Sequence, residues 1–276
     1  MNPYLNDIFN QPKTLRDAVE QFDPSSLLAL RTRLLNADFD RIVLTGMGAS
    51  LYAAHPAYLA LQQLSLPVML ENAAELNNAA SGAINERTLL WMCSQSGRSA
   101  EPVRLLEKKA QVGNPVIYSV VNNAESAMAI DSDHFSLINA GEENSVSTKT
   151  YVNMLAVNLL AAEVLLDKDP GPMKQSMLET TEMMEAWLED WESHKQVLDE
   201  LLGDFNDLFI LGRGISLSSV WCGALINKEA AKTAVHGMHS ADFRHGPLEL
   251  CEDGLVALVF SGAGVDVDLN AETVRD

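Results

Sequence analysis

The first half of this chain alternates two kinds of segment, and that alternation constrains its fold more than any other feature. Apolar runs of four to seven residues recur at Arg41–Thr45, Leu66–Leu70, Thr88–Cys93, Pro115–Val121 and Phe135–Ile138. Such runs read as buried strands. Segments of helical period follow most of them. Ser50–Leu64 is one, and Ala100–Ala110 is another, with Val103, Leu105, Leu106 and Ala110 on a single face. Strands joined through helices pair in parallel, and a parallel sheet has to be covered on both faces. The expected fold class is α/β.

Residues 1–36 read as a helical segment. Leu15, Val19 and Phe22 lie on one stretch, Leu27, Leu28, Leu30, Leu34 and Leu35 on the next, and Asp23-Pro24-Ser25 marks a break between them. A first domain is expected over 37–168, closed by the apolar helix Lys149–Leu166. Asp167-Lys-Asp-Pro-Gly-Pro172 is the clearest linker signal. An amphipathic helix from Met173 to Leu202 (connecting segment 173–203) then leads to a second domain, 204–276.

The second domain repeats the opening of the first. Leu44-Thr-Gly46-Met-Gly48-Ala-Ser50 aligns with Ile210-Leu-Gly212-Arg-Gly214-Ile-Ser216, displaced by 166 residues (210 − 44), and each copy ends a strand and opens a helix. A period this long indicates duplicated domains and not a solenoid. After the strand candidate Gly254–Ser261 only residues 262–276 remain, so the second domain is expected to be incomplete.

Composition narrows the partners. A formal net charge of −19 opposes binding to nucleic acid or to an anionic membrane surface. It leaves room for a small phosphorylated ligand, because N–H dipoles and a few cations can hold phosphate inside an acidic protein. No apolar run reaches the ~20 residues needed to cross a bilayer, and the start, Met1-Asn-Pro-Tyr-Leu-Asn-Asp, has no secretory character. Cys93, Cys222 and Cys251 are far apart and lack metal-ligand spacing. They read as reduced thiols of a cytoplasmic protein.

Four turns carry chemistry. Ser94-Gln95-Ser96-Gly97-Arg98-Ser99 lies between a strand and a helix, where serine hydroxyls, the Gln95 amide and free helix N–H groups suit a phosphate. Ser99 serves equally well as a plain helix cap. Gly46-Met-Gly48, with Glu71 after the next strand, invites a dinucleotide reading, but Leu51 and Leu217 stand where the third glycine belongs. The glycines can simply permit a tight turn, or let a sugar approach the backbone beside Ser50. Ala140–Lys149 is a third polar turn, in which Ser147 or Thr148 can cap the helix. Lys149 gains nothing from the helix dipole there, which points to another task. In the fourth, Glu229 shares a helix with Leu225, Ile226 and Ala230, where partial desolvation would strengthen it as a base; His245 precedes Gly246-Pro247 and can exchange protons near neutral pH. The alternatives are a solvated Glu229 paired with Lys228 or Lys232 and a simple turn histidine. His236 and His239 complete no metal-binding set.

Taken together these segments resemble the sugar isomerase (SIS) domain family, and most closely its two-domain members, typified by the isomerase half of glucosamine-6-phosphate synthases. The elements are Gly48-Ala-Ser50, Ser94–Ser99, Ala140-Gly-Glu-Glu with Ser147-Thr-Lys149, Leu211-Gly-Arg-Gly214, Lys228-Glu229 and His245-Gly-Pro247. The resemblance implies two flavodoxin-like three-layer α/β/α domains that bind phosphosugars at the carboxyl ends of parallel strands. Ser94, Gln95, Ser96 and Ser99 match the family's phosphate loop. Ser50 and Ser147 match positions that contact the phosphate or the sugar hydroxyls. Glu229 matches the acid/base that moves a proton between C1 and C2. His245 matches the group that assists ring opening from the neighbouring subunit, which implies a homodimer with shared sites.

Aldose–ketose interconversion by a carboxylate and an imidazole requires neither metal nor cofactor. With an amine on C2, the same proton movement leads to loss of ammonia. Several departures bear on the activity. No glutaminase domain precedes the pair and residue 2 is Asn, not a nucleophilic Cys, so glutamine-dependent synthesis is not expected. Ile226 and Cys222 stand where the synthases have a lysine and a glutamate. Arg98 replaces a common acidic residue, and the family's C-terminal tail has no counterpart. The expected activity is that of a cytoplasmic isomerase or deaminase of hexose or aminohexose 6-phosphates, of the glucosamine-6-phosphate deaminase or deglycase kind. The alternative is a non-catalytic phosphosugar-binding or regulatory protein; there is no basic helix-turn-helix segment to support a transcriptional role.

Overall fold

The structure, a computed structural model, describes residues 2–78, 81–144 and 146–276. They divide into two compact units, Met1–Met184 and Glu185–Asp276. In the first, the five apolar runs become β1 (Arg41–Gly46), β2 (Val68–Asn72), β3 (Thr88–Ser94), β4 (Val116–Val121) and β5 (His134–Leu137). All pair in parallel, in the order β2-β1-β3-β4-β5. That is the doubly wound order whose direction of winding reverses between β1 and β3, and ligands of such sheets sit at that reversal, beyond the carboxyl ends of the strands.

Helices cover both faces of the sheet. The N-terminal segment forms α1 (Pro3–Phe9), α2 (Gln11–Glu20) and α3 (Ser25–Leu35). The expected break at Asp23-Pro24 is present, with Asp23 Oδ1 accepting from the Ser25 N–H at 2.9 Å. α4 (Ala49–Leu61) and the apolar α8 (Lys149–Leu165) join α2 and α3 on one face. On the other lie α5 (Ala73–Asn77), α6 (Ala100–Glu107) and α7 (Ala127–Asp131). β3 is buried at every residue, as the centre of such a sheet requires. Its Trp91 packs edge-on against Tyr118 (centroids 4.8 Å apart) and donates to Asn158 Oδ1 of α8 at 2.9 Å.

Two expectations need correction. Gly171 and Pro172, read as linker, already open α9 (Gly171–Glu189), where proline is tolerated because its missing N–H would have had no partner. The single helix expected to Leu202 is two, since α10 (Trp191–Leu202) starts after a break at Asp190. At that break the Trp187 carbonyl accepts from His194 Nδ1 at 3.0 Å, and the two rings stack at 4.6 Å.

The second unit holds a three-stranded parallel sheet, β7-β6-β8, formed by β6 (Asp207–Gly212), β7 (Val235–His239) and β8 (Leu255–Val259). α11 (Leu217–Ile226) packs through Val220 and Ala224 onto Leu208 and Ile210. On the opposite face Phe209 and Leu211 meet Phe243 of α12 (Ser240–Phe243). α13 (Val265–Arg275) is anchored by the buried Asn270, whose Nδ2 donates to the carbonyls of Phe260 (2.9 Å) and Ser261 (3.0 Å).

Candidate functional site

β3 delivers the serine-rich turn to the carboxyl edge of the first sheet. Ser94, the strand's last residue, is buried and its Oγ lies 2.9 Å from Ser99 Oγ. The Gly97 N–H donates to Ser94 Oγ (3.2 Å), and the Arg98 N–H to Ser96 Oγ (3.2 Å). Gly97 has φ +60°, and a Cβ there would fall 2.1 Å from Ser126 Oγ, so the turn needs glycine both for its backbone and for space. Ser99 occupies the cap position of α6, yet its side chain makes no capping hydrogen bond. Its hydroxyl is turned to Ser94 instead. The first-turn N–H groups of α6 are therefore left without a side-chain cap, beside a cluster of hydroxyls.

A cavity of about 380 Å³ opens next to this turn. Gln95, Ser96 and Arg98 line it from the loop after β3, Asn122 and Asn123 from the loop after β4, and Gly141, Glu142 and Glu143 from the loop after β5. Asn122 stitches the last two loops together: its Nδ2 donates to Gly141 O (2.7 Å) and its Oδ1 accepts from the Ala140 N–H (2.9 Å). Glu143 supplies the cap that opens α8. Its Oε1 accepts from the N–H groups of Thr148 (2.9 Å) and Thr150 (3.1 Å), and its Oε2 from Thr150 Oγ1 (2.5 Å). A carboxylate on a helix N-terminus is the favourable pairing with the helix dipole.

Of the expected binding residues, Gln95 and Ser96 face the cavity, while Ser94 and Ser99 pair with each other in the same turn. Ser147 Oγ is engaged with Thr150 Oγ1 at 3.0 Å, and Ser50 lies half-buried in the first turn of α4, after β1. Ser145 lies outside the described residues. The task left open for Lys149 is structural: its Nζ forms an ion pair with Asp7 Oδ1 at 3.0 Å, with the two side chains 9% and 0% exposed. Asp7 Oδ2 accepts from the Asn144 N–H at 3.0 Å, tying α1 to the loop that lines the cavity. Sequence reasoning assigned no role to Asp7, Asn122 or Glu143; Glu143 lay within the Ala140-Gly-Glu-Glu motif, and the misplaced charge of Lys149 was the signal toward Asp7.

Glu229 and His245 belong to the second unit. Glu229 lies in a π-helical turn, Asn227–Ala231, that continues α11. Such turns interrupt α-helices rarely and often at functional positions. The desolvation expected from its apolar helix neighbours is not found: Glu229 is exposed. The pairing with a neighbouring lysine is not found either: Lys232 Nζ donates to the Glu229 carbonyl (2.8 Å). His245 is exposed in the turn after α12, its N–H donating to Asp242 O at 3.0 Å. Burial raises the Cys93 thiol to about 12, so this cysteine beside the serine turn is unreactive. Among the described residues no group of three or more His, Cys, Asp or Glu is placed to hold a metal ion, and no helix is long and apolar enough to cross a membrane.

A doubly wound parallel sheet with a polar cavity beside a serine-rich turn at its carboxyl edge defines a class of small-ligand α/β domains. Comparison with known proteins makes the class specific. The SIS domain family matches residues 34–164, within the first unit. A glutamine–fructose-6-phosphate aminotransferase (isomerizing) from Pyrococcus horikoshii is 31% identical over 265 residues, covering 94% of this chain and 44% of that protein. The chain thus spans less than half the length of that curated relative. Two solved structures share the fold: tagatose-6-phosphate ketose/aldose isomerase from Escherichia coli and glucosamine-6-phosphate deaminase from Thermotoga maritima. The isomerase superposes with a TM-score of 0.81 at 19% identity, over 98% of this chain and 76% of its own. The deaminase superposes with a TM-score of 0.78 at 19% identity, over 99% and 82%.

Proposed function

We propose that this chain is a metal-independent enzyme acting on a hexose or aminohexose 6-phosphate. Its activity is aldose–ketose isomerisation or aminosugar-phosphate deamination, of the glucosamine-6-phosphate deaminase or deglycase kind. The observation that carries the reading is the Ser94–Ser99 turn. Its terminal serine leaves the start of α6 uncapped and joins a hydroxyl cluster next to a 380 Å³ cavity at the carboxyl edge of the sheet. A phosphate bound there receives hydroxyl and N–H donors together with the positive end of a helix. The similarity to a phosphosugar isomerase and a deaminase supports the same ligand class.

In this reading Ser50, Ser94, Gln95, Ser96, Ser99 and Ser147 bind the phosphosugar. His245 assists ring opening, and Glu229 takes a proton from C2 of the open-chain aldose and returns one to C1. When C2 bears an amine, the ketose-level species is an imine, and addition of water releases ammonia. The sites are completed within a cytoplasmic homodimer, with His245 contributed across the subunit boundary. A second reading, a binding protein without turnover, is favoured by one fact: Glu229 and His245 are both exposed.

Glu229→Gln separates the two readings. Ammonia release and aldose–ketose interconversion are followed on a panel of hexose and aminohexose 6-phosphates, and affinity is followed by calorimetry. The enzyme reading expects turnover to fall by about 10²–10⁴-fold with affinity retained. Equal loss of both contradicts the role of Glu229, and binding without turnover in the unsubstituted protein establishes the second reading.

A further inference from the structure

α1 buries a single side chain, and that side chain is the carboxylate of Asp7. Docking a helix through an acid gains little stability, because desolvating a carboxylate and an ammonium costs about as much as their attraction returns. The N-terminal segment does not depend on this contact to stay in place. α2 buries Leu15, Ala18 and Val19 in the core, and its Thr14 carbonyl accepts from Asn153 Nδ2 of α8 at 2.8 Å. The Asp7 carboxylate instead holds one short stretch of chain at both ends. Its Oδ2 accepts from the Asn144 N–H (3.0 Å), and its Oδ1 pairs with Lys149 Nζ (3.0 Å).

That stretch contains Ser147 and follows directly on Glu143, which lines the cavity. Ser147 Oγ rests 3.0 Å from Thr150 Oγ1, and Thr150 Oγ1 donates to Glu143 Oε2. Glu143 and Ser147 thus belong to one network, and the buried carboxylate of α1 is its outer anchor. We propose that Asp7 is a positioning residue for the cavity: it fixes the loop after β5 from behind, and ligand affinity depends on its hold on the Asn144 N–H. The inference rests on the phosphosugar reading above for the identity of the ligand, and it adds α1 to the machinery of that site. Lys149 compensates the buried charge that this hold requires.

Two double variants of the full chain separate position from stability. Asp7→Asn with Lys149→Met, the conservative variant, removes both charges and keeps a side-chain carbonyl for the Asn144 N–H. Asp7→Leu with Lys149→Met removes both charges and the acceptor. Apolar residues of similar volume commonly match a buried ion pair in stability, so both variants are expected to fold. Affinities for glucosamine 6-phosphate and glucose 6-phosphate are measured by calorimetry at a temperature where thermal scans show every variant folded. Hydrogen exchange of the Asn144 amide is followed in parallel. The Leu variant is expected to bind about tenfold more weakly, the equivalent of one hydrogen bond to a charged group, and to exchange this amide faster. The conservative variant is expected to match the unsubstituted protein in both. Asp7→Ala in the Lys149→Met background is a second acceptor-free variant, with the same expected result as Leu. Unchanged affinity in the acceptor-free variants, or an equal loss in the conservative one, overturns the inference while the phosphosugar reading stands. Failure of the unsubstituted protein to bind either ligand overturns that reading and, with it, the role of Asp7 in affinity.

Discussion

Replacing Lys149 by Met strands a charge inside the first unit. The Asp7 side chain is fully buried and Lys149 is 9% exposed, so neither can turn to water when its partner goes. Removing one member of a buried pair costs about 3–5 kcal/mol, because the remaining charge is desolvated without compensation. Asp7 keeps the Asn144 N–H on Oδ2, but Oδ1 has no hydrogen bond besides the ion pair. One retained donor places the expected cost near the lower bound, about 3 kcal/mol. In a unit of this size, each kcal/mol lowers the melting temperature by about 2–4 °C, giving a fall of about 6–12 °C. Differential scanning calorimetry resolves that shift. The decisive control is Asp7→Asn with Lys149→Met, which removes both charges and keeps a carbonyl oxygen for the Asn144 N–H. Its stability should return to within about 1 kcal/mol of the original. A double variant as unstable as Lys149→Met alone would refute the account, since the loss would then come from packing of the lysine stem and not from a stranded carboxylate.

Two further outcomes follow from the sheet. Asn158→Leu removes the acceptor of the buried Trp91 indole N–H and of the Cys93 thiol; it should destabilise by about 1–3 kcal/mol, measured by urea titration. Asp133 is more than a third exposed, and two effects act on it: partial burial raises its carboxyl, while the Lys109 ammonium (2.7 Å) and the Ile117 N–H (2.8 Å) lower it by more. The folded value thus lies below the ordinary 3.8, and the unfolded chain binds more protons in acid. The resulting stability is present above pH 3.8 and is lost as pH falls below it, so Asp133→Asn should flatten the pH dependence of stability in that window.

The first half of the fold was legible because its central strands are buried on both faces. Thr88–Ser94 has no polar alternation to hide the strand, and its burial in the structure is complete. β7 announces itself less well. Val-His-Gly-Met-His carries no apolar run, and its central Gly237 is there for space: a Cβ would lie 2.8 Å from both Ala224 Cβ and the Val220 carbonyl. The break at Asp190 was hidden for a different reason. The periodicity of Met173–Leu202 continues through it, and the Trp187–His194 ring contact that spans the break is not a feature of that periodicity. In the candidate site the serine turn could be read from its residues, but the direction of the Ser99 hydroxyl could not. A serine before a helix looks the same in sequence whether it caps or turns away. Asp7 was out of reach because its partner is more than a hundred residues distant and its own helix has only seven residues.

The acidity of the chain and its proposed anionic ligand are compatible because the two act over different distances. A net charge of −19 sets the far field, which ordinary salt screens within about 8–10 Å. A phosphate at the Ser94–Ser99 turn would be governed by groups within hydrogen-bonding reach, the N–H groups and hydroxyls of that turn, while Arg98 lines the adjoining cavity. Of the two carboxylates that line the cavity, Glu143 is held by the donors at the start of α8, which offsets part of its repulsion. Parallel topology is what brings these donors together. β1, β3, β4 and β5 all end on one edge, so Ser50, the serine turn, Asn122 and the loop before Ser147 are assembled there although they span about a hundred residues of chain. The placement of the proposed anion site at that edge follows from the strand order.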